Sequence, residues 1–150
     1  MSASSSLSSH FRFESAAAKI TREQAGYIHL QMQSGKQTAA DIRTMFEQSL
    51  LATQTSGFNK LLLDHRLAAP FEEEAKDWFK HMFLPHMATD LAARRTAVVL
   101  AYDVFARLSM VPLSAGVYRR GNLVRSFESK TEALAWLLND MPPHPHQEKQ

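Results

Sequence analysis

The chain has 150 residues, 45% of them apolar and 21% charged, with a formal charge of only +2 and no cysteine. The length suits one domain with a sizeable core, and the absence of cysteine excludes a disulfide framework, a thiolate nucleophile and a zinc ribbon. The weak positive bias gives no argument for nucleic-acid binding, which is not expected.

Residues 1–10 are mainly Ser and Ala and are expected to form a disordered tail without the basic start or apolar stretch of a secretory signal. The globular part is expected over 11–140, and residues 141–150, rich in Pro and His, form a second loose tail. No run is apolar over the length of a membrane span, so no transmembrane segment is expected, and a cytoplasmic location fits. Phe11 and Phe13 alternate with polar residues, as in a strand. Ser15 before three alanines, with Gly26 as a stop, reads as a short helix, whereas Lys19-Ile20-Thr21 reads as the first arm of a hairpin. The hairpin is preferred because the following strand needs a neighbour.

Tyr27 to Gln33 alternates, with Ile28, Leu30 and Met32 on one face and Tyr27, His29, Gln31 and Gln33 on the other. On that polar face His29 is expected to be solvated or locally bonded. Thr38 caps a helix with Asp41 in its first turn, Ile42, Met45, Phe46 and Leu50 on one face, and Gly57 as its stop. Lys60-Leu61-Leu62-Leu63-Asp64 follows. Three consecutive leucines leave no face for water, which predicts a strand covered on both sides.

Pro70 is placed near the first turn of a second helix, and the following Glu72, Glu73 and Glu74 suit the positive end of its dipole. Ala75, Trp78, Phe79, Met82 and Phe83 form a broad apolar stripe, and Pro85 ends or kinks the helix. A short helical piece is expected over 89–93. Thr96 to Ala101 is a second covered strand. Asp103 caps the next helix, which includes Phe105, Leu108 and Met110; Pro112 interrupts it and Gly121 stops it. Asn122 to Phe127 is the last strand, and Ser129-Lys130-Thr131-Glu132 has the spacing of a capping box for a final helix carrying Leu134, Trp136, Leu137 and Leu138. Strands alternating with helices predict a single α/β domain with a four- or five-stranded, mostly parallel sheet flanked by helices.

The order and spacing of Gly35 with the Thr38 helix, Leu61-Leu62-Leu63-Asp64-His65-Arg66, Thr96-Ala97-Val98-Val99-Leu100 and Val124-Arg125-Ser126-Phe127 with Ala133-Leu134-Ala135-Trp136-Leu137 resemble the STAS-like group of small bacterial proteins. That group is similar to the anti-sigma-factor antagonists and distantly to CRAL-TRIO lipid-transfer domains. The resemblance covers residues 16–140 and implies a binding or regulatory module. Anti-sigma-factor antagonists carry a phosphorylated serine at the start of the helix after the central strand. Here that stretch is Leu67-Ala68-Ala69-Pro70-Phe71-Glu72, without Ser or Thr, and the glutamates after it would repel a phosphate.

The chain has no Gly-rich phosphate loop and no Gly-x-Ser-x-Gly elbow. His81 and His86 do not share a helix face as a zinc pair must. No catalytic set, metal or cofactor is therefore expected, and the protein is not expected to be an enzyme. Parallel sheets bind ligands beyond the carboxyl ends of their strands, which singles out Asp64, His65, Arg66 and Asp103. There the favoured reading is structural: Asp64 holds loop N–H groups, Asp103 caps its helix, and Arg66 pairs with a carboxylate such as one of Glu72 to Glu74. Arg119 and Arg120 stand out in a basic stretch and would meet phosphate or an acidic partner, although a solvated surface is the favoured reading. The function expected first is a cytoplasmic, non-catalytic module that binds a protein partner or itself. The alternative is a carrier or sensor of a small apolar or amphipathic acid, with Trp78, Met82 and their aromatic neighbours as the pocket wall and Arg66 or a neighbouring arginine meeting the acid head.

Overall fold

The computed structural model describes residues 12–87, 95–109 and 123–139. Both expected tails, the expected helical piece over 89–93 and the stretch holding Pro112, Arg119 and Arg120 lie outside these residues.

The chain opens with three strands, β1 (Arg12–Glu14), β2 (Ala18–Glu23) and β3 (Tyr27–Met32), each antiparallel to the one before. No helix forms after Ser15, whose hydroxyl instead accepts hydrogen bonds from the N–H groups of Ala17 and Ala18. The hairpin reading holds: Gly26, at φ 100°, donates its N–H to Glu23 O at 3.0 Å and closes the turn. Helix α1 (Ala39–Ser56) starts in a reciprocal cap, in which Thr38 Oγ1 accepts from Asp41 N and Thr38 N donates to Asp41 Oδ2. It ends at Gly57, whose φ of 75° is open to glycine and strained for other residues. Strand β4 (Lys60–Asp64) follows, then helix α2 (Glu73–Trp78), which continues with π winding over Phe79–Met87. Strands β5 (Arg95–Val99) and β6 (Leu123–Phe127) and helix α3 (Lys130–Leu137) complete the described fold.

The six strands lie in sequence order, β1-β2-β3-β4-β5-β6, and the last three junctions are parallel. This corrects the expected four- or five-stranded, mostly parallel sheet. The sheet is mixed because the first connections are a bend and a tight turn, which can only reverse the chain, whereas parallel neighbours need a crossover. Right-handed crossovers that advance in one direction place their helices on one face. Accordingly α1 and α2 pack together on the face that presents Ile20, Ile28, Leu30 and Leu61. Helix α3 covers the other face, against Leu62, Ala97 and Val99. Strand β4 therefore lies between two apolar layers, which accounts for its unbroken leucines: Leu61 serves one core and Leu62 the other. Full burial of such a side chain stabilises the fold by about 1.5–3 kcal/mol.

Pro70 lies outside the second helix, whose N-cap is Glu72, a correction of two to three residues to the expected start. Pro85 does not end the helix but sits inside its π-wound part.

Candidate functional site

Strand β4 ends at Asp64, which lies opposite Gln31 of β3 and Val99 of β5. The Asp64 side chain is buried and takes a two-pronged grip on Arg66. Oδ1 accepts from Arg66 Nε at 2.9 Å and from the Arg66 backbone N–H at 3.2 Å, while Oδ2 accepts from Nη2 at 2.7 Å. Burial alone would raise the Asp64 pKa, but the hydrogen bonds and charge of Arg66 outweigh it and hold the carboxyl below its ordinary range. Arg66 is held charged, first by its hydrogen bonds to Asp64, with Tyr102 adding to the effect. The backbone N–H of Tyr102 donates to Arg66 O at 3.0 Å, which ties the end of β5 to the loop after β4. The expected partner of Arg66 is thereby corrected. It is Asp64, two residues away, rather than a glutamate of α2; Glu73 pairs with Lys76 at 2.6 Å instead. Of the loop N–H groups expected to bond Asp64, that of Arg66 does so.

Gln31, Met32, Asp64, Arg66, Leu67 and Tyr102 line a crevice of about 180 Å³ beyond the carboxyl ends of β3, β4 and β5. This is where a parallel sheet offers a ligand site. The parallel strands follow one another without reversal, however, so they form no switch point of the dinucleotide-binding kind.

His65 continues the backbone ladder by donating its N–H to Val99 O at 3.0 Å, and strand alternation sends its ring away from Asp64. The ring is fully buried, its Nδ1 has no hydrogen-bond partner among the described residues, and burial pushes its pKa down to about 4. Of the two settings expected for His29, solvated or locally bonded, the first does not hold: its side chain is only 12% exposed and its Nε2 is buried without a described partner. Nδ1 lies 3.9 Å from Glu23 Oε2. Burial lowers its pKa, with Lys130 acting in the same direction and Asp64 and Glu23 opposing. The β3 alternation shows which face His29 is on but not that this face is largely covered.

Asp103 caps the helical segment 104–109 as expected, its Oδ1 accepting from the N–H groups of Phe105 at 2.8 Å and Ala106 at 3.0 Å. Arg107 anchors the same segment by donating from Nε and Nη2 to Ala101 O at 3.1 and 2.9 Å. The segment turns small residues inward and large ones outward. Ala101 and Ala106 are buried, while Tyr102, Val104, Phe105 and Leu108 are 69%, 56%, 71% and 63% exposed. A surface helix ordinarily does the reverse. Sequence reasoning missed this surface. The only signal was that Ala106 and Ala101 stand where small residues permit close approach to the sheet.

The aromatic stripe of the second helix is core. Trp78, Phe79 and Phe83 pack on Phe46 of α1 with ring centroids 6.1, 5.0 and 5.1 Å apart, and Phe79 stacks on Phe83 at 5.0 Å. Met82 does not join them and is 49% exposed. In the π-wound part, hydrogen bonds reach five residues rather than four, so Phe79 and Phe83 stay aligned while Met82 turns off the stripe. Asp64, Arg66 and Tyr102 are thus brought together, and Asp103 stands beside Tyr102. Trp78 and Met82 belong to a separate region.

Among the described residues no helix is long and apolar enough to cross a membrane, and no group of three His, Asp or Glu could hold a metal ion. Comparison with protein-family models, with curated proteins and with solved structures returned no match.

Proposed function

We propose that the protein is a non-catalytic STAS-like interaction module that binds a protein partner. One observation carries this reading: Tyr102, Val104, Phe105 and Leu108 are held outward by the Asp103 cap and the Arg107 anchor, beside the crevice at the strand ends. An apolar group of this size, fixed in place and outside both cores, is what a protein-binding surface requires. The run of parallel strand–helix units that motivated the resemblance is consistent with it. The loop after β4 lacks a phosphorylatable hydroxyl and tucks Ala68 and Phe71 into the core, so partner exchange by phosphorylation at that point does not form part of the proposal. Asp64 and Arg66 engage each other and act as a clasp for the loop. The aromatic side chains that a carrier would need as its pocket wall pack on Phe46, so the interaction reading is preferred to that of a carrier for an apolar or amphipathic acid.

Affinity capture from the native cell, at low and high salt, with wild-type protein and a Leu108→Asp variant tests the reading. A protein recovered with wild type and lost with the variant, at unchanged melting temperature, supports it. Identical recovery from both, or no specific partner in either condition, contradicts it.

A further inference from the structure

His29 stands where the core beneath α3 gives way to an uncovered part of the sheet. Helix α3 packs over β4, β5 and β6, and the sheet face it covers continues across β3, β2 and β1. There the register sets Thr21 opposite His29, Glu23 opposite Tyr27 and Lys19 opposite Gln31, with Arg12 and Glu14 beside them on β1. On the other side His29 is paired with Leu62, a fully buried member of the α3 core. The ring therefore lies between an apolar neighbour and a polar one.

Its two nitrogens have unequal surroundings. Nδ1 lies 3.9 Å from Glu23 Oε2, the oxygen that also accepts from Thr21 Oγ1 at 2.5 Å. Nε2 is buried and has no hydrogen-bond partner among the described residues. In a neutral ring one nitrogen donates and the other is an acceptor, so a proton on Nδ1 leaves Nε2 as an unused acceptor. In an imidazolium both nitrogens carry N–H groups. Nδ1–H can turn to Glu23, but Nε2–H becomes a charged donor without an acceptor, which costs more than an unused neutral one. The charged groups on the neighbouring elements do not remove this cost. Glu23 on β2 and Asp64 on β4 favour the cation, whereas Lys130 on α3 and Arg66 after β4 oppose it, and burial opposes it most. Lys130 is the first residue of α3, so the charge on the ring acts on the start of that helix.

We infer that His29 is an acid-sensitive latch between the β2–β3 hairpin and the start of α3. Neutral, the ring is seated beside Leu62. Protonated, it leaves that seat for Glu23 and solvent, and the first turn of α3, which opens on a like charge, rearranges with it. A proton shifts the balance between the two positions only by the difference in their proton affinities. The seated ring is the weaker base, so acid favours release. The seated form is complete above pH 6.5 and declines as pH falls toward the lowered value of the folded protein. The latch does not depend on the partner-binding surface at 102–108.

NMR of the full chain, titrated from about pH 8 to about pH 5, tests it. That window stays above the value of about 4 for His65, which remains neutral while folded. The His29 ring protons, assigned through the backbone, are expected to titrate below 6.5. Nuclear Overhauser contacts between the ring and the Leu62 methyl groups are expected to fade with the same midpoint, and the amides of 130–133 to shift with it. In His29→Gln the amide shifts should vanish. Lys130→Ala should raise the midpoint and Glu23→Gln should lower it. Ring contacts to Leu62 that persist on the acid side overturn the inference, because the histidine then titrates in place without switching. So do a midpoint at or above 6.5, and amide shifts that survive in His29→Gln. If His29→Gln fails to fold, the other two variants decide, and a midpoint unmoved in both overturns the inference.

Discussion

Replacing Arg66 by alanine should cost far more than loss of a surface ion pair. Such pairs contribute about 0–1 kcal/mol. Here the Asp64 side chain is 2% exposed and that of Arg66 32%, so removing the guanidinium leaves a carboxylate beneath the surface with one backbone N–H as its described partner. Breaking a fully buried pair in this way costs about 3–5 kcal/mol. Water can reach Arg66 on its outer side, which lowers the expected cost to about 2–4 kcal/mol. That is a large fraction of the roughly 5–15 kcal/mol that holds a domain folded.

The cost should also depend on pH. In the native protein the Asp64 pKa is lowered, so its contribution is present above the ordinary carboxylate range and is lost as pH falls through the folded value. In Arg66→Ala the side-chain bonds and the charge that offset burial are gone, leaving the backbone N–H bond and His29 against it, and the folded pKa rises. The variant is therefore penalised at neutral pH and relieved as the carboxyl takes up a proton. Urea unfolding followed by far-UV circular dichroism at several pH values measures the gap, which should narrow on acidification. Asp64→Asn combined with Arg66→Ala should be more stable at neutral pH than Arg66→Ala alone, because no stranded charge remains. A gap below about 1 kcal/mol at neutral pH, or one that does not change with pH, would refute the reasoning.

His65 is neutral when folded, its pKa lowered from 6.5 to about 4, whereas the unfolded chain takes up the proton near 6.5. Its contribution is thus complete above pH 6.5 and declines as pH falls toward 4, by about 3 kcal/mol, so a His65→Leu variant should show a flatter urea midpoint across that window. Phe46→Ala removes the ring on which Phe71, Trp78, Phe79 and Phe83 converge, and calorimetry or urea unfolding should show a loss of about 3–5 kcal/mol. Leu62→Asp buries an unpaired carboxylate between the sheet and α3 and should abolish folding. A soluble, cooperatively melting Leu62→Asp protein would contradict the placement of β4.

The parts of the fold governed by local chemistry were legible in the sequence. Thr38 and Asp41 marked the start of α1, Gly57 its end, and the leucines of β4 a strand with two cores. Asp103 and Ser129 were placed correctly as caps, Ser129 Oγ accepting from Glu132 N at 3.1 Å. The alternation of Phe11 and Phe13 pointed to the first strand, but a strand of three residues does not reveal in its sequence which neighbour it pairs with, so the sixth strand of the sheet was not counted. The partner of Arg66 was missed because a pair two residues apart depends on how the chain turns after a strand, which periodicity does not encode. Met82 was assigned to the apolar stripe on the assumption of α-helical winding, and the π winding around Pro85 removed it. For the segment after Asp103, hydrophobic residues were evident but their direction was not. Ala101 and Ala106 set that direction by packing inward, a tertiary effect.

The central claim is that residues 102–108 form a protein-binding surface. It is tested most directly by placing a photoreactive phenylalanine analogue at Phe105, and in a control at Leu51, and irradiating the native cell. The account predicts a discrete protein adduct at position 105, absent at position 51 and competed by excess wild-type protein. Absence of an adduct at 105, or the same adducts at both positions, would contradict it.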